Sequence, residues 1–226
     1  MEPPGLGVGL RNRQRRPITR EIQAGPYFAV DAPSVHDTIQ RRQADRKEIE
    51  TRLMVGEIEG ILDALNRARV RYLVVGGVAV VLHGYLRTTA DLDLVVQLER
   101  DNVLRAIRSL QDHGYRPRAP VSAEDFAEQQ MREQWIREKG LAVFTLWSPV
   151  HPTLEIDLLV SEPFNFDAVY ARALRVPLEK TEATVIALAD LIALKRSVGR
   201  PRDLDDVAAL ESLAEEPDER EERPDD

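Results

Sequence analysis

Two aspartates two positions apart, followed much later by a third, are the residues in this chain best placed to do chemistry. Asp91 and Asp93 open the run Asp-Leu-Asp-Leu-Val-Val-Gln, whose alternation and branched side chains predict a strand over 91–97. Residues two apart on a strand project from one face, so both carboxylates meet the same space. Carboxylates that close repel each other unless a cation lies between them or one keeps its proton. A hard, oxygen-seeking divalent ion relieves the repulsion and brings phosphate oxygens with it; magnesium is the first choice, and manganese can replace it. Asp157 stands in Leu-Glu-Ile-Asp-Leu-Leu, inside an apolar strand predicted over 154–160, where an unpaired charge is costly. Glu155 shares its face by period two and is either a neighbour of the site or a solvated strand start. The bland reading of Asp91 and Asp93 is a solvated strand end or a structural ion pair.

The elements around these residues bear on which reading holds. Residues 72–75 form a short apolar strand ended by Gly76-Gly77, with a short buried helix predicted over 78–85 and a polar turn over 86–90. Glycines at the start of a helix let backbone N–H groups come close to a phosphate, and the helix end favours an anion. Arg87, in that turn, either pins the loop carrying the aspartates or reaches a phosphate. His83, among Val80, Val81 and Leu82, is a wall or core histidine by default. Lys195 on a late amphipathic helix is either a solvated cation or part of the site. Asp203 follows Pro201 and reads as the N-cap of the last helix. His36, His113 and His151 have no zinc-site spacing. Trp135, Trp147 and Tyr115 could stack on a base, with core packing as their default.

A helix is predicted from about 38 to 69, where Ile49, Leu53, Ile58, Ile61, Leu62 and Leu65 recur at helical steps. Further helices are predicted over 102–113, from Ser122 to about 138, over 188–198 and over 204–213. Strands are expected over 143–147 and at either 174–177 or 183–186. The fold class is therefore α/β (α+β), a small mixed sheet flanked by helices with two more at the C-terminal end. Residues 1–40 carry the basic cluster Arg11, Arg13, Arg15, Arg16 and Arg20 without an apolar period, the pattern of a disordered arm. The domain is expected over 41–213, and 214–226 as an acidic disordered tail.

The 226 residues carry a net charge of −8. From Glu211 onward nine acidic residues face two arginines, a local −7 that leaves −1 for everything before it. A nearly neutral body does not suggest broad nucleic-acid binding, though it permits a local basic patch. No apolar run nears the roughly 20 residues of a membrane span. Cysteine is absent, which removes thiolate chemistry and disulfides and fits a cytoplasmic setting.

The stretch GGVAVVLHGYLRTTADLDLVV resembles the signature of the DNA polymerase β-type nucleotidyltransferase superfamily, with Gly-Gly, a short helix, then Asp-x-Asp on a strand. Together with LADLIALKRSVGRPRDLDDVAAL, it is most similar to the AbiEii-like bacterial group, many of whose members are toxins of toxin–antitoxin pairs. The two matches span roughly 72–210. The resemblance implies a nucleotidyltransferase fold and transfer of a nucleoside monophosphate from a nucleoside triphosphate, ATP or another, to a hydroxyl. It implies that Asp91 and Asp93 share two magnesium ions, with Asp157 nearest the attacking hydroxyl. Gly76, Gly77, Arg87 and Thr89 would lie on the phosphate side. Lys195 would face the triphosphate, with Asp203 or Asp206 supporting it or taking part. Gly77 departs from the commoner Gly-Ser form, which removes a serine hydroxyl but leaves the backbone N–H. The acceptor implied is tRNA or another macromolecule and the partner an antitoxin protein. A small antibiotic of the aminoglycoside or lincosamide type, or a silent nucleotide- or partner-binding module, are the alternatives.

Overall fold

The computed structural model describes residues 55–215. The readings for 1–40, for the acidic tail from 216, and for Ile49, Leu53 and His36 lie outside them. The first described helix, α1, covers 55–67, and its Ile58, Ile61, Leu62 and Leu65 are buried, the stripe expected from their spacing.

Strand β1 (Tyr72–Val74) leads through Val75 into α2 (Gly76–Leu82), and β2 (Asp91–Val96) returns antiparallel beside β1. Helix α3 (Arg100–Asp112) and the short β3 (Arg116–Pro117) follow. A 3₁₀ turn (Glu124–Ala127) and α4 (Gln129–Lys139) then precede β4 (Val143–Trp147) and β5 (Glu155–Leu159). The chain continues through α5 (Phe166–Ala171) and the hairpin β6 (Leu174–Pro177) and β7 (Glu182–Val185), and closes with α6 (Leu188–Val198) and α7 (Pro201–Glu215). The sheet is mixed, in the order β3-β4-β5-β2-β1-β7-β6. β2 pairs parallel with β5 and β1 with β7, and the other neighbours are antiparallel.

Three local outcomes differ from expectation. The helix expected from Ser122 is broken: the Ser122 hydroxyl accepts the Glu124 N–H at 3.2 Å in a local turn, a 3₁₀ turn follows, and α4 begins only at Gln129. Both 174–177 and 183–186 contribute strands because they pair with each other as an edge hairpin. α5, capped by Asn165 accepting the Ala168 N–H at 3.0 Å, has no apolar period long enough to be read from sequence.

The pleat divides the sheet in a way that matters for the site. Leu92, Leu94, Phe144, Leu146, Ile156 and Leu158 point into the core and are buried. Asp91, Asp93, Thr145, Trp147, Glu155 and Asp157 alternate with them, all partly or fully accessible, on the opposite face. Burying the first set as apolar area at roughly 25 cal/mol per Å² fixes the pleat and so obliges the second set to share one surface.

Candidate active site

The parallel pairing of β2 with β5 sets Asp93 directly beside Asp157 and Asp91 beside Glu155. The β4 register puts Thr145 opposite Asp157, and the Thr145 hydroxyl donates to Asp157 Oδ1 at 2.6 Å. Burial first, then the charge of Asp157 and to a smaller degree Asp91, push the Asp93 carboxyl up to about 6, against the Gly77 N–H and Lys195. Burial also raises Asp157, aided by Asp91 and opposed by the Thr145 hydrogen bond and Arg118. Of the three carboxylates expected from sequence, Asp93 and Asp157 are therefore set side by side with Asp91 on the same face, and their ionised forms are mutually unfavourable.

Gly76 and Gly77 begin α2 itself rather than preceding it. Gly76 has φ +62°, and a Cβ built on it would lie 1.8 Å from Asp93 Oδ2. A Cβ on Gly77 would meet Thr89 Oγ1 at 2.4 Å and Arg87 Nη2 at 2.5 Å. No side chain fits at either position while Asp93, Arg87 and Thr89 stay where they are. The Gly77 N–H is aimed at Asp93 Oδ2 at 3.4 Å, a long contact. Arg87 is mostly buried. Its Nε is 3.2 Å from Asp206 Oδ1 but off the line of a hydrogen bond, so Nε and Nη1 both lack a hydrogen-bond partner. A buried guanidinium with two unused N–H groups beside a glycine-only helix start is a costly arrangement for a purely structural arginine.

Lys195, which the resemblance sets facing the triphosphate, is held by two carboxylates. Its ammonium is 5% exposed and donates to Asp206 Oδ2 at 2.8 Å and Asp203 Oδ1 at 3.3 Å. Asp203 also accepts from Arg200 Nε at 2.7 Å. Burial acts to raise Asp203, but Arg200 and Lys195 outweigh it and hold its carboxyl below the ordinary value. Nor is Asp203 the N-cap: α7 starts at Pro201, with proline at its first position, and Asp203 is the third helical residue, turned inward to the lysine. Lys195, Asp203, Asp206, Arg87 and Arg200 thus form one compensated cluster joining α6 and α7 to the loop before β2. Arg202 tightens the same join by donating to the Thr88 carbonyl at 2.5 Å.

The remaining candidates separate cleanly. His83 Nε2 donates to the Ile186 carbonyl at 2.8 Å and is a wall residue, as expected by default. Tyr115 is buried against His151, and Trp135 is buried against Phe144 with rings 5.5 Å apart. Trp147 alone of the three is partly exposed on the carboxylate face. The sequence reading missed Thr145 and Arg200. Thr145 carried a usable signal, since its parity in β4 matches an outward residue, but its partner depends on register. A cavity of about 720 Å³ lies at the other end of β1, between Arg71, Tyr170, Arg175 and Lys180. Asp91, Asp93 and Asp157 do not line it.

Among the described residues no three His, Cys, Asp or Glu side chains form a ready-made metal cage. Magnesium does not require one, because it commonly takes one or two protein carboxylates and completes its shell with water and substrate phosphate. The donor set fits such an ion: hard oxygens only, like-charged, with Asp93 and Asp157 paired across adjacent strands.

A glycine-started helix packed on a strand bearing Asp-x-Asp, with a third carboxylate on the adjacent parallel strand, defines the nucleotidyltransferase class. The chain belongs to the family described as "Uncharacterised nucleotidyltransferase", whose model matches residues 29–218. It is a nucleotidyltransferase, and enzymes of this class generally use divalent metals. No curated protein matches the chain by sequence. Among solved structures it is similar to a lincomycin-bound lincosamide antibiotic adenylyltransferase, at 17% identity and TM-score 0.47, covering 70% of this chain and 96% of that one. It is also similar to the antibiotic-resistance factor ANT(2″)-Ia in solution, at 12% identity and TM-score 0.46, covering 72% and 84%. Among the described residues no helix is long and apolar enough to cross a membrane.

Proposed function

We propose that this protein moves a nucleoside monophosphate from a nucleoside triphosphate to a hydroxyl, with Asp91, Asp93 and Asp157 holding two magnesium ions. The observation that carries the reading is the arrangement around Asp93. Like-charged carboxylates lie on one side, and on the other the two glycines of a helix start pack against Asp93, Thr89 and a buried Arg87 with two unpartnered nitrogens. A metal-bound triphosphate satisfies both halves, its cations relieving the carboxylates and its oxygens accepting from Arg87 and the α2 backbone.

When bound, the ions supply charge neutralisation for the attacking and leaving oxygens of an in-line displacement. The acceptor oxygen bonds to the α-phosphorus, the α–β bridging bond breaks, and pyrophosphate leaves with that electron pair. Asp157 takes the acceptor's proton. Its Oδ1 is engaged by Thr145, which fixes the carboxylate and leaves Oδ2 for that proton. Gly76 and Gly77 keep the backbone close to the phosphates, and Thr89 and Arg87 wall that side. Lys195 and Asp203 act one layer back: by neutralising Asp203 and Asp206, Lys195 fixes the α6–α7 join on which Arg87 rests.

The acceptor we propose is the single-stranded end of a tRNA-sized RNA, with an antitoxin protein as partner, on the resemblance to the AbiEii-like group. Calorimetry with each nucleoside triphosphate, in magnesium and in EDTA, tests the metal-centred site; equal affinity in both removes it. Incubation of α-labelled triphosphates with total RNA, protein, or aminoglycosides and lincosamides tests the acceptor. Label on RNA supports the proposal, and label confined to an antibiotic makes this a small-molecule transferase. Binding without any label makes it a silent module.

A further inference from the structure

The register that assembles the carboxylates continues past them. Asp93, Asp157 and Thr145 lie side by side across β2, β5 and β4, and the Arg118 N–H donates to the Thr145 carbonyl at 3.0 Å to extend that row onto the β3 segment. A second row runs beside it. Asp91 pairs with Glu155, Trp147 lies two residues beyond Thr145 on the same face, and Arg116 is the cross-strand partner of Trp147. The Arg116 guanidinium sits 4.7 Å from the Trp147 ring centroid, and Arg118 forms an ion pair with Glu155. On the β1 side of Asp93, by contrast, stand Gly76, Gly77 and Arg87. An in-line displacement needs the leaving pyrophosphate and the attacking hydroxyl on opposite sides of the reacting phosphorus. If the triphosphate occupies the glycine side, as the reading above has it, the acceptor comes over the β4–β3 side.

We propose that Trp147, Arg116 and Arg118 form the acceptor subsite, a ledge that takes the terminal nucleotides of single-stranded RNA by stacking a base on the indole–guanidinium pair and holding phosphate with the arginines. The chemistry favours this acceptor over a polyamine sugar. Bases stack on aromatic rings and on arginine planes alike. Arg118 is already paired with Glu155, beside which Asp91 stands, so Arg116, which has no carboxylate partner among the described residues, is the guanidinium that attracts a phosphodiester and repels a polycation. Both arginines are solvent-accessible, Arg118 at 60%, so neither is committed to the core. The patch is small, which suits a chain whose body is nearly neutral.

The test uses the full chain. Anisotropy of a fluorescent single-stranded RNA with a free 3′ hydroxyl reads the ledge, and calorimetry of ATP with magnesium reads the nucleotide side. Trp147→Ala and Arg116→Glu should each weaken RNA binding about tenfold, the scale of one lost stacked base, and leave magnesium–ATP affinity within about twofold. Trp147→Phe should retain most RNA affinity. Because Trp147 is half-buried, Arg116→Glu at an exposed position decides the matter if Trp147→Ala does not fold. Unchanged RNA affinity in Arg116→Glu, no RNA binding by the wild type, or displacement by a polyamine sugar alone overturns the ledge while leaving nucleotide binding intact. Failure of the wild type to bind ATP with magnesium overturns the reading beneath it as well.

Discussion

Two charged clusters meet near the start of α2, and they are held in opposite ways. Around Lys195, two buried carboxylates, a buried ammonium and the guanidiniums of Arg87 and Arg200 compensate one another over 2.7–3.3 Å. Across β2 and β5, Asp91, Asp93 and Asp157 share a face, with only a threonine hydroxyl, a long backbone contact and the charges of Lys195 and Arg118 to set against their repulsion. Folding alone explains Lys195, Asp203, Asp206 and Arg200, because each of these charges finds a hydrogen-bonded partner, and it leaves only two Arg87 nitrogens unused. It does not explain the second cluster, where the folded state raises the cost of ionisation. Such an arrangement makes sense when a cation from outside completes it.

Neutralising one member of each cluster should separate the two most sharply. Asp93→Asn is expected to reduce nucleotidyl transfer on the order of ten-thousandfold, about 5.5 kcal/mol in the barrier, while its thermal midpoint is unchanged or higher. Near-normal turnover would break the contrast. Lys195→Met should do the reverse kind of damage: a loss of about 3–5 kcal/mol in denaturant unfolding, since Asp203 and Asp206 are left buried without their ammonium. A folded, fully stable Lys195→Met protein that has lost only triphosphate affinity would return Lys195 to direct phosphate contact.

The pH dependence of stability sharpens the same comparison. The folded chain holds the Asp93 proton more tightly than the unfolded chain, because its carboxyl stands at about 6 against an ordinary 3.8. In EDTA this term is fully present below about pH 4 and is lost as pH rises through about 6, by at most about 3 kcal/mol. Asp93→Asn should flatten that fall in melts taken across the range, and added magnesium at pH 7 should restore wild-type stability. A wild-type curve that rises over the window by the same amount as the variant's would contradict the assigned repulsion.

The smallest effect concerns the glycines. Gly76 and Gly199 both have positive φ, at +62° and +68°, but only Gly76 has a carboxylate where its Cβ would stand; around Gly199 the nearest atom is 3.6 Å away. Gly199→Ala should cost about 1 kcal/mol from backbone strain alone, and Gly76→Ala about 2 kcal/mol with a displaced Asp93 and lost transfer. Equal costs with activity retained would mean that Asp93 can move aside freely.

Much of this was legible in the residues, and the reasons are local. Alternation in 91–97 and 154–160 marked the strands and placed Asp91, Asp93 and Asp157 on outward positions, because a pleat offers only two faces. The apolar steps of Ile58, Ile61, Leu62 and Leu65 marked α1, and Gly76-Gly77 before Asp-x-Asp marked the site. What could not be read depended on pairing. Ser122 marked a turn into helical structure, but not that a 3₁₀ turn would come before α4. Trp147 and Trp135 are the same residue type in similar surroundings, and only register puts one beside the carboxylates and the other behind them. Lys195 and Asp203 were recognisable as a motif, yet its meaning changed once α6 and α7 packed and turned the ammonium inward. Sequence by itself determined which carboxylates share a face and which backbone can approach them, since both follow from periodicity and from the absence of a Cβ. Tertiary structure decided which charges are compensated and which are left for a ligand, because compensation is a matter of distance between elements far apart in the chain.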